Sequence, residues 1–110
     1  MLKYFPIPCA IVDIETTGGN VTYDRITEIG IIEVTEDGIK EWSTLINPRA
    51  HIPQGIQLLT GITNDMVNAA PYFEQVAKEI LLRLQGKLFV TVHIVFIHQH
   101  GRGFKFPWRD

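Results

Sequence analysis

Asp13 and Glu15 stand two residues apart inside an apolar run, Cys9-Ala10-Ile11-Val12-Asp13-Ile14-Glu15. Side chains of an extended strand alternate, so the two carboxylates project from one face. Like charges held side by side repel, and burying them is costly unless cations are supplied. Hard oxygen donors of this kind suit Mg²⁺ or Mn²⁺. The spacing alone also fits a pair in which one carboxylate faces solvent at a strand end and the other caps a turn. Thr16, Thr17 and Gly18 follow at once. They bring hydroxyls, backbone N–H groups and a pliable glycine to the mouth of the strand, where a phosphate could dock.

The elements that must position this stretch are legible from periodicity. Residues 8–15 read as a first strand, largely buried. Residues 25–34, rich in Ile and Val, read as a second, and Gly30 within it points to a close backbone approach or a bulge. Glu36-Asp37-Gly38 is a hairpin signal. Residues 39–46 alternate as a third strand, which completes an antiparallel meander. Asn47-Pro48 ends it. Short helices are expected at 54–60, stopped by Gly61, and at 64–68, capped by Thr63. Residues 72–85 form the clearest helix. Its apolar face is Phe73, Val76, Ala77, Ile80, Leu81 and Leu84, with Gly86 just past its end. Residues 88–97 then read as a buried strand after a crossover. The order β-β-β-α-α-α-β gives an α/β fold with a mixed sheet.

Composition narrows the function. At 110 residues the chain is one domain at most. A net charge of −2 supplies no global field to attract nucleic acid, so any such binding needs a local site. The single cysteine, Cys9, excludes an internal disulfide and a Cys-based zinc site, and fits a reducing compartment. No secretory leader or membrane-spanning run is read, and a cytoplasmic location is expected. Residues 98–110 are basic, aromatic and aperiodic. They are set apart from a domain at 1–97 as an irregular tail.

Four ordered segments resemble the DnaQ-like (DEDD) 3′–5′ exonucleases, the family of the proofreading epsilon subunit of bacterial DNA polymerase III. Val12-Asp13-Ile14-Glu15-Thr16-Thr17-Gly18 resembles that family's first motif, and Arg25-Ile26-Thr27-Glu28-Ile29-Gly30 its second strand. Asn47-Pro48 with Ile52-Pro53, and then Leu59-Thr60-Gly61-Ile62-Thr63-Asn64-Asp65-Met66-Val67 up to Ala70-Pro71, resemble its linker and short helices. The resemblance covers residues 8–90. It implies a ribonuclease H-like fold and hydrolysis of nucleotides from nucleic-acid 3′ ends by two metals about 3.5–4 Å apart. Asp13 and Glu15 would be catalytic metal ligands for Mg²⁺ or Mn²⁺. Ile14, Thr16, Thr17, Leu59 and Thr60 would meet the terminal nucleotide, with Leu59 equally readable as a core residue. DNA or RNA 3′ ends, and a DNA polymerase subunit, are the implied partners.

The chain departs from this family after about Val90. The family's later motifs supply two more acidic ligands and a general base. Here the corresponding stretch is Thr91-Val92-His93-Ile94-Val95-Phe96-Ile97-His98, and the one Asp beyond Asp65 is Asp110. His93, His98 and His100 do not complete a ligand set, and His51 reads as a loop residue. A premature end or frame change near residue 90 of a longer exonuclease would produce this pattern. Weak or absent hydrolysis is therefore expected of this chain. The other readings are a non-catalytic module that binds nucleic-acid ends or a polymerase, and a fragment that self-associates into a homodimer through an exposed sheet edge.

Overall fold

Four apolar, β-branched runs and three short helical runs assemble as the alternation of the sequence requires. The computed structural model describes residues 7–20 and 22–91. Strands β1 (Cys9–Thr16), β2 (Ile26–Thr35) and β3 (Gly38–Leu45) form the expected antiparallel meander. Helices α1 (Gln54–Thr60), α2 (Asn64–Asn68) and α3 (Phe73–Leu84) follow, and β4 (Leu88–Thr91) returns parallel to β1. The sheet order is β3-β2-β1-β4.

Local chemistry sets the ends of these elements. Gly38 at φ 117° lets the chain turn into β3. Gly61 at φ 76° closes α1 through a bond from its N–H to the Gln57 carbonyl. The Thr63 side chain accepts from Met66 N and starts α2. Gln75 Oε1 accepts from Tyr72 N at 2.8 Å and starts α3.

The core lies on one face of the sheet. Ala10 and Val12 of β1 and Ile29 and Ile31 of β2 bury against Ile80 of α3, flanked by the half-buried Val76, Leu84 and Trp42. Charge pins the same contact. Arg83 Nη1 donates to Glu33 Oε2 at 2.7 Å, and Lys87 Nζ lies 3.4 Å from Glu33 Oε1. The Arg83 guanidinium also stacks 4.9 Å from the Trp42 ring. A second cluster, Ile52, Ile62 and Val67, joins α1 and α2 to Leu45 at the end of β3.

Three expectations are corrected. The strand from residue 88 is expected to be buried, yet Leu88 and Phe89 are 54% and 55% exposed. The cause is position: among the described residues β4 is the end strand, with β1 as its neighbour. Residues 92–97 of the expected strand lie outside the described residues, as does the tail at 98–110. The apolar face of α3 is narrower than its periodicity implies. Contact centres on Val76, Ile80 and Leu84, while Leu81 at the margin is 62% exposed and Phe73 in the first turn is 44% exposed. The bulge, one of the two readings of Gly30, falls instead at Thr27, because Glu15 pairs with Glu28 and Thr16 with Ile26.

Candidate metal and nucleotide site

The sheet register builds the site. Ala10 and Val12 face the core under α3, so Asp13 and Glu15 share the opposite face, as their spacing requires. Asp13 lies across from Gly30, and Gly30 across from Ser43. Gly30 thus sets no side chain beside Asp13. Glu15 lies across from Glu28, and Glu28 across from Leu45. A buried third carboxyl, Glu28 at 3% exposure, therefore stands next to Glu15 on the same face. Its sequence signal is an acid inside the apolar run 26–34, which alternation alone does not tie to Glu15.

The electrostatics of this face disfavour negative charge. Burial pushes the Asp13 carboxyl above its usual value of 3.8. Glu15 is half-buried, with Oε2 shielded from solvent. Carboxylate oxygens in this state fit a hard divalent cation, which commonly takes one or two carboxylates and completes its shell with water and phosphate oxygens. Among the described residues no group of three or more His, Cys, Asp or Glu is placed to hold a metal ion. The pair thus fits one ion with open positions, and the described residues offer no ligand set for a second. The β1–β4 register ends at Val12 and Thr91, so the neighbour of Asp13 on that side lies outside the described residues. So do His93, His98 and His100. His51 is exposed in the loop before α1.

The turn after Glu15 is closed on itself. Thr17 is buried, and its hydroxyl donates to Asp24 Oδ1 at 2.8 Å while accepting from Arg25 N at 3.0 Å. Thr17 N donates to the Arg25 carbonyl at 2.8 Å. The Thr16 hydroxyl donates to the Gly18 carbonyl. Both threonine hydroxyls expected to meet a nucleotide are therefore committed as donors within the turn. Asp24, which sequence reasoning misses, is the residue that gathers this turn. The signal available for it is an Asn and an Asp following a glycine pair, a turn-forming composition.

Ile14 points to the core face yet is 46% exposed at the strand end. Leu59 is half-buried on α1. Thr60 is buried; its hydroxyl donates to the Ile56 carbonyl at 2.9 Å and accepts from Ile62 N at 3.1 Å. The α1–α2 cluster meets the sheet at Leu45, in the row that runs through Glu28 to Glu15. Two strand spacings of about 4.8 Å separate Leu45 from Glu15 along that row. An open cleft of about 260 Å³, lined by Asp24, Arg25, Ile46, Arg49 and Phe73, is not lined by the carboxylate pair.

The Exonuclease (RNase_T) family model matches residues 10–103. The chain belongs to this exonuclease family. A curated relative, the 3′-5′ exonuclease DinG of Staphylococcus saprophyticus, is 43% identical over 91 residues, which is 81% of this chain and 10% of the relative. DinG of Staphylococcus haemolyticus is 40% identical over 79% of this chain and 10% of its own length. The chain thus spans about a tenth of the curated relatives it matches. Among solved structures, exonuclease X in complex with 5′-overhanging duplex DNA aligns with a TM-score of 0.55 and 29% identity, over 66% of this chain and 42% of that one. Apo exonuclease I, at 19% identity, shares the fold, with a TM-score of 0.67 over 79% of this chain and 21% of its own. The mixed four-stranded sheet with its helices is the ribonuclease H-like fold that the resemblance implied. Among the described residues no helix is long and apolar enough to cross a membrane.

Proposed function

We infer that this segment carries the metal- and end-binding half of a 3′–5′ exonuclease domain. The observation that supports this most is the Asp13–Glu15 pair on one face of the sheet, with the Thr16–Gly18 turn directly after it. Asp13 and Glu15 would hold Mg²⁺ or Mn²⁺. When bound, such an ion supplies neutralising charge for the scissile phosphate and a lowered pKa for a coordinated water. The chain's own residues do the rest: the sheet ladder fixes the two carboxylates, the closed turn shapes the mouth, and Leu59 offers apolar surface to a terminal base, while Ile14 lies between the carboxylates with its side chain on the opposite face. Thr60 sits beside Leu59 as an internally bonded support.

The ligand count favours binding over turnover. Two-metal hydrolysis needs further acidic groups, and between Glu79 and Asp110 the sequence has none. The segment alone is therefore a weak or inactive hydrolase that binds DNA or RNA 3′ ends. Likeness to the DinG relatives favours an origin in a 3′-5′ exonuclease of their kind over a polymerase proofreading subunit. A polymerase partner remains a finer proposal from the motif resemblance, and a cytoplasmic location one from the single free cysteine. Self-association through β4 is favoured by the exposed Leu88 and Phe89 on the end strand.

The functional reading is tested with a 5′-labelled oligonucleotide, with Mn²⁺ or with a chelator, on wild type and Asp13→Ala. The expected result is Mn²⁺-dependent binding lost in the variant, with slow shortening from the 3′ end at most. Binding that ignores both the metal and the substitution overturns it.

A further inference from the structure

We propose that Asp24 is a positioning residue for the nucleotide-binding mouth, acting through Thr17 and the Thr16–Asn20 turn; this rests on the functional reading above. Asp24 spans the turn with both carboxylate oxygens. Oδ1 accepts from the Thr17 hydroxyl at 2.8 Å, and Oδ2 accepts from Asn20 N at 2.7 Å. Asp24 N donates back to the Asn20 carbonyl at 2.8 Å. The Thr17 hydroxyl passes the constraint on by accepting from Arg25 N at 3.0 Å. Asn20 Oδ1 accepts from Thr22 N and Tyr23 N and closes the far side of the turn.

The fit is tight at one further point. A Cβ added to Gly18 would stand 2.6 Å from Asp24 Oδ2. Atoms do not approach that closely, so the carboxylate occupies the space that a side chain at residue 18 would need. Glycine at this position is explained by Asp24.

The division of labour along β1 follows from the bulge. The ladder holds register through Glu15, opposite Glu28, and shifts between Glu15 and Thr16. Upstream of the bulge the sheet fixes Asp13 and Glu15. Downstream, backbone pairing is reduced and Asp24 fixes the turn. The two functions are thus separable: the sheet sets cation binding, and Asp24 sets the surface that meets the nucleotide. A bulge that re-aims the chain beside a binding site is a recurrent device.

The test measures two ligands on the same protein by calorimetry: Mn²⁺ alone, and 2′-deoxythymidine 5′-monophosphate in saturating Mn²⁺. The variants are Asp24→Ala, Thr17→Val, Thr17→Ser and the double variant Thr17→Val with Asp24→Ala. Asp24→Ala and Thr17→Val should each weaken nucleotide binding about tenfold, while Mn²⁺ affinity stays within about twofold. Thr17→Ser keeps the hydroxyl and should restore binding. The double variant should lose less than the sum of the two single losses, because both remove the Thr17–Asp24 link while Asp24→Ala also removes the bond from Asn20 N. If Asp24→Ala does not fold, the Thr17 pair carries the comparison. Unchanged nucleotide affinity in Thr17→Val and Asp24→Ala overturns the proposal and leaves the functional reading standing. Parallel loss of Mn²⁺ and nucleotide binding also overturns it, since a merely structural role does that. Absence of nucleotide binding by the wild type overturns the functional reading itself, and the positioning role with it.

Discussion

Replacing Asp13 by Asn should stabilise the metal-free protein. Asn keeps the shape and removes a charge that the site opposes. Burial opposes that charge by pushing the carboxyl up, and a like charge on Glu15, which shares the face, would add to it. Residues two apart on a strand are separated by about 6.7 Å. Unit charges at that distance repel by about 0.6 kcal/mol at the dielectric of water and about 2.5 kcal/mol at an effective value of 20. Both groups are half-buried, so a gain of about 1 kcal/mol is expected, or about 4–8 °C in melting temperature for a domain of this size. The pH dependence has a definite sign. Asp13 in the folded state binds its proton more tightly than its usual 3.8 allows. Its contribution to stability is present at acid pH and lost as pH rises through the raised value. The advantage of the Asp13→Asn variant should therefore vanish below about pH 4 and level off above the raised value. Mn²⁺ should invert the order, since at 100 times its Kd a ligand adds about 2.7 kcal/mol to the wild type. Thermal melts at several pH values, with and without Mn²⁺, provide the assay. An Asp13→Asn variant less stable than wild type without metal, or equally stabilised by Mn²⁺, refutes the reasoning.

Three further outcomes follow from the fold. Ile31→Ala, at a fully buried position between β1, β3 and α3, should cost about 3–4 kcal/mol in urea unfolding. Glu33→Ala should cost about 1–3 kcal/mol in the same measurement, because Arg83 and Lys87 lose their shared partner, and the loss should shrink at high salt. Gly61→Ala forces an L side chain to φ 76° and should cost about 1 kcal/mol, read as a lower unfolding midpoint at unchanged slope.

Much of the fold is legible in the sequence because its signals are local. The meander is written in period-two alternation and in Asp37-Gly38, and α1 and α2 in Gly61 and Thr63. The pairing of Asp13 with Glu15 needs the strand period and nothing else. The parts that are not legible depend on partners distant in sequence. Leu88 and Phe89 look like core residues because their composition says nothing about which element lies over them. Leu81 continues the helical period, but the sheet is met only by the stripe through Ile80. Glu28 can be joined to Glu15 only by a β1–β2 register that carries its own bulge. The hold of Asp24 on the Thr17 hydroxyl spans seven residues, out of any simple period.

Everything proposed for this site rests on Asp13 and Glu15 holding a divalent cation. Calorimetric titration of Mn²⁺ into wild type and Asp13→Ala tests it most directly. Saturable binding by the wild type that disappears in the variant is the predicted result. No binding by the wild type, or equal binding by both proteins, would contradict it.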